Sequence, residues 1–194
     1  LGGLVLVVVS GLFYAPYLLD AQASRTGSYL GDRIGDQLIK NNLDSFQQLN
    51  VFYTSFYYYA LTGLLVLVWL AWAARRAPGL QRLPRAGVGL TGVLAVAVLG
   101  VAISPHALRT ASVDLAVVPF AVLLVCAAVS AGLDDGRRAV VLWLAVSFLG
   151  YTFGVARPLT HIYTIVPAWT LLAGLAVGNL VPRLAGRRGI AWLT

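Results

Sequence analysis

The sequence has 194 residues, of which 59% are hydrophobic and only 11% charged, with a mean hydropathy of +0.82 and a formal net charge of +7. Soluble domains carry about 25% charged residues, so this chain lacks the polar surface to cover a globule of its size. An ordinary soluble domain is excluded, and the chain is expected to meet lipid.

The inventory sharpens that expectation. Of the fourteen basic residues all but Lys40 are Arg, the seven acidic residues are all Asp, and Met is absent. With no Met and with Leu1 inside an apolar run, the chain is expected to be an internal or C-terminal piece of a longer one, its missing N-terminal portion being a partner in function. The single Cys126 sits in an apolar stretch with no disulfide partner and no metal-ligand spacing around it. The Arg residues fall in short loops between apolar runs, where membrane orientation accounts for them, so no nucleic-acid partner is expected.

A bilayer's hydrocarbon core needs roughly 20 apolar residues in a helix. Six such runs are predicted as spans, at 1–19, 51–73, 88–103, 115–132, 139–156 and 162–181. They are apolar all round rather than alternating, and lipid offers nothing to an unpaired backbone group, so helix is the expected state. The fold class is therefore an all-α, polytopic membrane protein, a single transmembrane helical domain over 1–194 with an outer loop at 20–50.

Alternate loops can be tested against the preference of positive charge for the cytoplasmic side. Arg75, Arg76, Arg82, Arg85, Arg137, Arg138, Arg183, Arg187 and Arg188 fall on one side; Arg25, Arg33, Lys40, Arg109 and Arg157 fall on the other. The richer side is assigned to the cytoplasm of a cell-membrane protein, with the 20–50 loop outside. That loop carries helical signals. Leu30, Ile34 and Leu38 recur at four-residue spacing, and Asp44 with Gln47 resembles a capping box, so two short amphipathic helices are predicted on the outer surface. Tyr53, Tyr57, Tyr58 and Tyr59, with Phe52 and Phe56, read as an interfacial aromatic belt. Gly150-x-x-x-Gly154 and Gly174-x-x-x-Gly178 have the spacing that lets helices approach closely.

Ionisable groups near span ends are the first candidates for chemistry. His106 and Arg109 follow the third span, and Arg157 and His161 precede the sixth, so the topology puts all four outside. Together with the polar loop they form a candidate pocket for a phosphate, because Arg offers a fork of donors matched to phosphate oxygens. At that depth the phosphate belongs to a lipid head group, with apolar grooves taking the chain. The plainer alternative makes the Arg residues snorkelling anchors and the His residues interfacial hydrogen-bonding groups. Asp134 and Asp135, beside Arg137 and Arg138, read as a solvated turn. There is no GxSxG, HExxH or Walker loop, no cofactor is evident, and the scattered His and Asp do not support a divalent metal.

Two stretches carry a family likeness: Tyr29-Leu-x-Asp-Arg through Asn41-Asn42-Leu to Phe52-Tyr-Thr-Ser-Phe-Tyr-Tyr, and Arg157-Pro-Leu-Thr-His-Ile-Tyr-Thr-Ile-Val-Pro-Ala-Trp169. They resemble the later spans of bacterial multi-pass glycosyltransferases of the GT-C type, which include protein O-mannosyltransferase-like enzymes and the lipid A aminoarabinose transferase. The resemblance implies transfer of a sugar from a polyprenyl-phosphate carrier to an acceptor hydroxyl at the outer leaflet. It also implies that the general base sits in an N-terminal loop outside this chain. On that likeness Arg157 contacts the phosphate, His161 donates to phosphate or sugar and Tyr163 positions them, with His106 and Arg109 in the same pocket. Tyr29, Arg33, Asn41 and Asn42 would cover the site or select the acceptor. A transporter or flippase segment and a noncatalytic membrane scaffold remain as alternatives. Transport is disfavoured by the lack of midplane charge and by the placement of Pro119 and Pro167 near the outer ends of their spans.

Overall fold

The computed structural model describes residues 8, 27–28, 31, 39–44, 56–110, 114–156 and 163–185, with the side chains of 56–59, 84 and 181–185 left aside. The chain divides into two compact units, residues 1–38 and 39–194. In the first, Val8, Gly27, Ser28 and Gly31 are helical and exposed. All that follows concerns the second.

That unit is all-α. Among the described residues there are six α-helices: α1 (Phe56–Ala74), α2 (Pro78–Gln81), α3 (Pro84–Ile103), α4 (Val117–Ala128), α5 (Asp135–Leu149) and α6 (Ile165–Ala185), with a π-helical turn, Gly150–Gly154, continuing α5. Five of the six predicted spans thus coincide with described helices, and the first, 1–19, lies outside the described residues apart from Val8. By length and composition one described helix, over Arg85–Ile103 with a mean hydropathy of 2.3, is long enough to cross a membrane. The apolar parts of α1, α4 and α6, at Ala60–Ala74, Val117–Ala128 and Ile165–Leu180, are shorter.

Local chemistry explains where the helices begin. Pro78 and Pro84 open α2 and α3 in the first turn, where the missing N–H has no intrahelical partner to lose. Pro119 and Pro167 fall in the first turns of α4 and α6 for the same reason. Asp134 caps α5: its Oδ1 accepts the Arg137 N–H at 2.8 Å, while Arg137 Nε pairs with Oδ2 at 3.2 Å and Arg138 Nη1 with Asp135 at 3.3 Å. The predicted solvated turn is therefore a helix N-cap, with Asp134 and Asp135 at the positive end of the helix dipole and the two Arg paired with them.

α1 packs against α3, α4 and α6, and α5 closes the bundle between α4 and α6. Its buried stripe is Thr62, Val66, Trp69, Leu70 and Ala73, at helical spacing, and α6 answers with Ile165, Ala168, Leu172 and Ala176. Between them Gly63 lets Trp169 approach so closely that an added Cβ would lie 3.1 Å from the indole, whose Nε1 donates to Thr62 Oγ1 at 3.1 Å. Close approach is not found at the predicted Gly-x-x-x-Gly pairs. A Cβ on Gly150, Gly154, Gly174 or Gly178 would meet nothing within 4 Å, so these glycines face open space.

The outward faces are as apolar as the inward ones. Val96, Ile103 and Val146 are 70%, 71% and 74% exposed, and Leu61, Leu64, Val93, Val122, Val125 and Leu171 also point out. In a soluble bundle those faces carry polar residues.

Candidate functional site

One end of the bundle gathers the segment 39–44, the turn after α3 and the end of α5. A helix leaves its last carbonyls without intrahelical donors, and the π-helical turn after α5 leaves several in a short space. Residues 40–42 supply the missing donors. Lys40 N–H donates to the Phe153 carbonyl at 2.8 Å, and Asn42 N–H to that of Thr152 at 3.0 Å. The Asn42 side-chain amide then reaches the carbonyls of Val155 at 2.6 Å, Thr152 at 3.1 Å and Tyr151 at 3.4 Å. An asparagine is suited to this because its amide offers two N–H donors on a short stem.

Asn41 ties the same segment to the other side of the site. Its Oδ1 accepts the Leu43 N–H at 3.2 Å, holding a tight local turn, and its amide donates to the Pro105 carbonyl at 2.7 Å and to Asp114 Oδ2 at 2.9 Å. The second oxygen of Asp114 accepts the Ala116 N–H at 2.9 Å, just ahead of α4, where a negative charge meets the positive end of the helix dipole. Asp44 pairs with His106 Nε2 at 3.1 Å, both side chains about half exposed. Arg109 and Asp114 form an isolated antiparallel bridge that closes the turn, and Arg109 is exposed.

Beneath this polar layer Phe120, Phe148 and Phe153 stack at centroid distances of 5.1, 5.9 and 6.1 Å. They fix the π-helical turn from its apolar side. Along the outside of α5 runs an open apolar groove of about 800 Å³, lined by Leu142, Trp143 and Val146 and ending at Tyr151, Val155 and Thr164. π-helical turns inside α-helices are frequent at functional sites. Here one lies between this open apolar surface and a layer of polar groups.

Of the residues singled out in the sequence, Asn41, Asn42, His106 and Arg109 are brought to this one end. Tyr163 stands at the start of the short turn leading into α6 and is exposed, beside Thr164 of the groove. Arg157, His161, Tyr29 and Arg33 lie outside the described residues, as do most of the two predicted surface helices and Gln47 of the capping box. Asp44 itself is helical. Four participants escaped the sequence reading as site residues: Lys40, Asp44, Asp114 and Thr152. Asp44 and Asp114 are two of the five acids, of seven in all, that the predicted topology puts on one side, a signal that was present. Thr152, inside an apolar run, gave none.

The opposite end is built differently. Arg76 lies over the Trp72 ring at 4.2 Å, and its carbonyl accepts from Gln81 at 2.8 Å and from Ala131 N–H at 3.3 Å. Arg138 donates to the carbonyls of Ala128 at 3.2 Å and of Ser130 and Leu133 at 3.4 Å, closing the C-terminus of α4. These are structural staples, and among the described residues no group of three metal-ligating side chains occurs. No family model, curated protein or solved structure matches the chain.

Proposed function

We propose that this chain is the membrane-embedded part of a lipid-carrier-dependent glycosyltransferase, with its bundle in the cell membrane and the end carrying Asn41, Asn42 and His106 facing outward. The observation that carries the reading is the adjacency of an apolar groove along α5 to a polar layer at the end of the same helix. An amphipathic carrier has the matching form: a prenyl chain for the groove, and a phosphate and sugar for the polar end. The outward apolar faces support placement in lipid, where every helix side can be hydrophobic without cost.

In such a site the chain's own residues hold and orient the carrier. Arg157 and His161, with Tyr163 at the entrance to α6, contact the phosphate as the glycosidic bond breaks and negative charge grows on the departing group. The test is transfer itself: membranes holding the full-length protein are incubated with a labelled polyprenyl-phosphate sugar. Incorporation of label into an acceptor is expected, and loss of that incorporation in Arg157→Ala at unchanged protein level. Movement of the intact labelled lipid across the bilayer without transfer would instead establish the flippase reading.

A further inference from the structure

We propose that the link between α2 and α3, Arg82-Leu83-Pro84-Arg85, is a docking surface for an anionic phospholipid of the bilayer, with the headgroup at the two guanidiniums and the acyl chains on the exposed face of α3. The proposal needs the bundle to lie in a membrane but not the sugar-transfer reading. It falls at the end of the bundle opposite the polar layer around Asn42.

Charge complementarity names the occupant. The loops at this end, 75–85 and 129–138, carry six Arg and two Asp. Both acids are engaged locally, Asp134 by Arg137 at 3.2 Å and Asp135 by Arg138 at 3.3 Å, and Arg76 lies on the Trp72 ring at 4.2 Å. Arg75, Arg82 and Arg85 are exposed, and no acid pairs with them among the described residues. Positive charge that the chain leaves unneutralised beside an apolar span attracts acidic headgroups, and the Arg fork matches phosphate oxygens.

The geometry concentrates that charge at the link. Arg82 and Arg85 are three residues apart, so their Cα atoms are separated by at most about 11 Å, an interval that two long side chains can close onto one headgroup. The link is also held in place. Gln81 Nε2 donates to the Arg76 carbonyl at 2.8 Å and Leu83 N–H to that of Leu80 at 3.1 Å, and α2 lies so near α3 that a Cβ on Gly87 would come 2.7 Å from the Leu80 carbonyl oxygen. Between the two arginines Leu83 is 57% exposed, and apolar exposure continues along α3 through Leu90, Val93, Val96 and Ile103. That helix is the described one long and apolar enough to span a membrane. Charge at one end of it and apolar surface running on from that charge match the two halves of a phospholipid.

The test uses the full chain purified in detergent and offered phosphatidylglycerol, phosphatidylcholine with the same acyl chains, and soluble glycerol 3-phosphate. Retained lipid is measured by native mass spectrometry, and the thermal midpoint is followed in parallel. An arginine beside an anionic headgroup contributes about fivefold, so a preference for phosphatidylglycerol of roughly twenty-five-fold is expected from the pair, with a raised midpoint. Arg82→Gln combined with Arg85→Gln should bring the two lipids near parity without lowering the midpoint in phosphatidylcholine. Lys at both positions keeps the charge and should keep most of the preference. Arg137→Gln removes equal charge from the same end at a site already paired with Asp134, and should matter less than Arg82→Gln alone. The proposal is overturned if the wild type retains both lipids equally, or if glycerol 3-phosphate competes as well as the lipid, which would make the site one for a free anion. It is equally overturned if Arg137→Gln matters as much as Arg82→Gln, if the Lys pair loses the preference with the Gln pair, or if the Gln pair melts early in phosphatidylcholine. Lipid preference through this link without sugar transfer would sink the transferase reading alone, and transfer without the preference would sink this proposal alone.

Discussion

At the scale of single residues, the amide of Asn42 does more for the polar end than any charge there. It serves carbonyls that have lost their helical donors, so its removal leaves buried acceptors unpaired rather than deleting a marginal contact. Asn42→Ala is expected to lower stability by about 1–3 kcal/mol, seen as a fall in thermal midpoint. Asn42→Asp should fall further, because a carboxylate would face carbonyl oxygens with no proton to give. An unchanged midpoint in both would mean that the 40–42 segment is not the cap of α5. By contrast the pair of Asp44 with His106 is half exposed, and water and salt screen it. His106→Ala should shift stability by less than about 1 kcal/mol, so any loss of activity in that variant reports on function rather than folding.

Among the elements, the contact of α1 with α6 depends on a glycine that the spacing of small residues did not single out. Gly63 meets the Trp169 ring, whereas Gly174 in the predicted motif faces open space. Gly63→Val should therefore cost about 1–3 kcal/mol through overpacking, while Gly174→Ala should be neutral or stabilise by up to about 1 kcal/mol through helix propensity. Paired thermal melts decide the matter, and the reverse ranking would restore the Gly-x-x-x-Gly reading. The motif failed for a physical reason: small residues permit close approach, but which face of a helix meets a neighbour is set by the packing of the whole bundle. Helix ends were easier to read. Asp134 lies where charge and turn chemistry demand a cap, and Asp134→Ala should cost about 1 kcal/mol.

Over the whole molecule, the alternation of the predicted spans implies which loops share an end of the bundle. The segment 39–44, the turn at 104–109 and the residues at 150–155 do converge, and residues 76, 81, 131 and 138 meet at the other end. The proposed orientation in the membrane makes a direct prediction. In a Cys126→Ser background, Asp44→Cys should react with an impermeant maleimide added to intact cells, and Asp135→Cys only after lysis. Labelling of both from one side would overturn the orientation while leaving the fold untouched.

The amino-acid sequence by itself determined the helical class, the placement of five described helices and the sorting of loops. All of these follow from local hydropathy, charge and backbone satisfaction in apolar surroundings, which are sums over neighbours in the chain. It also marked Asn41, Asn42 and His106 as residues of one polar end. Only the tertiary structure decided that Asn42 caps α5 from more than a hundred residues away, and that Gly63 rather than Gly174 admits a neighbour. Those facts depend on distances between segments remote in sequence, and no local pattern of residue types encodes them.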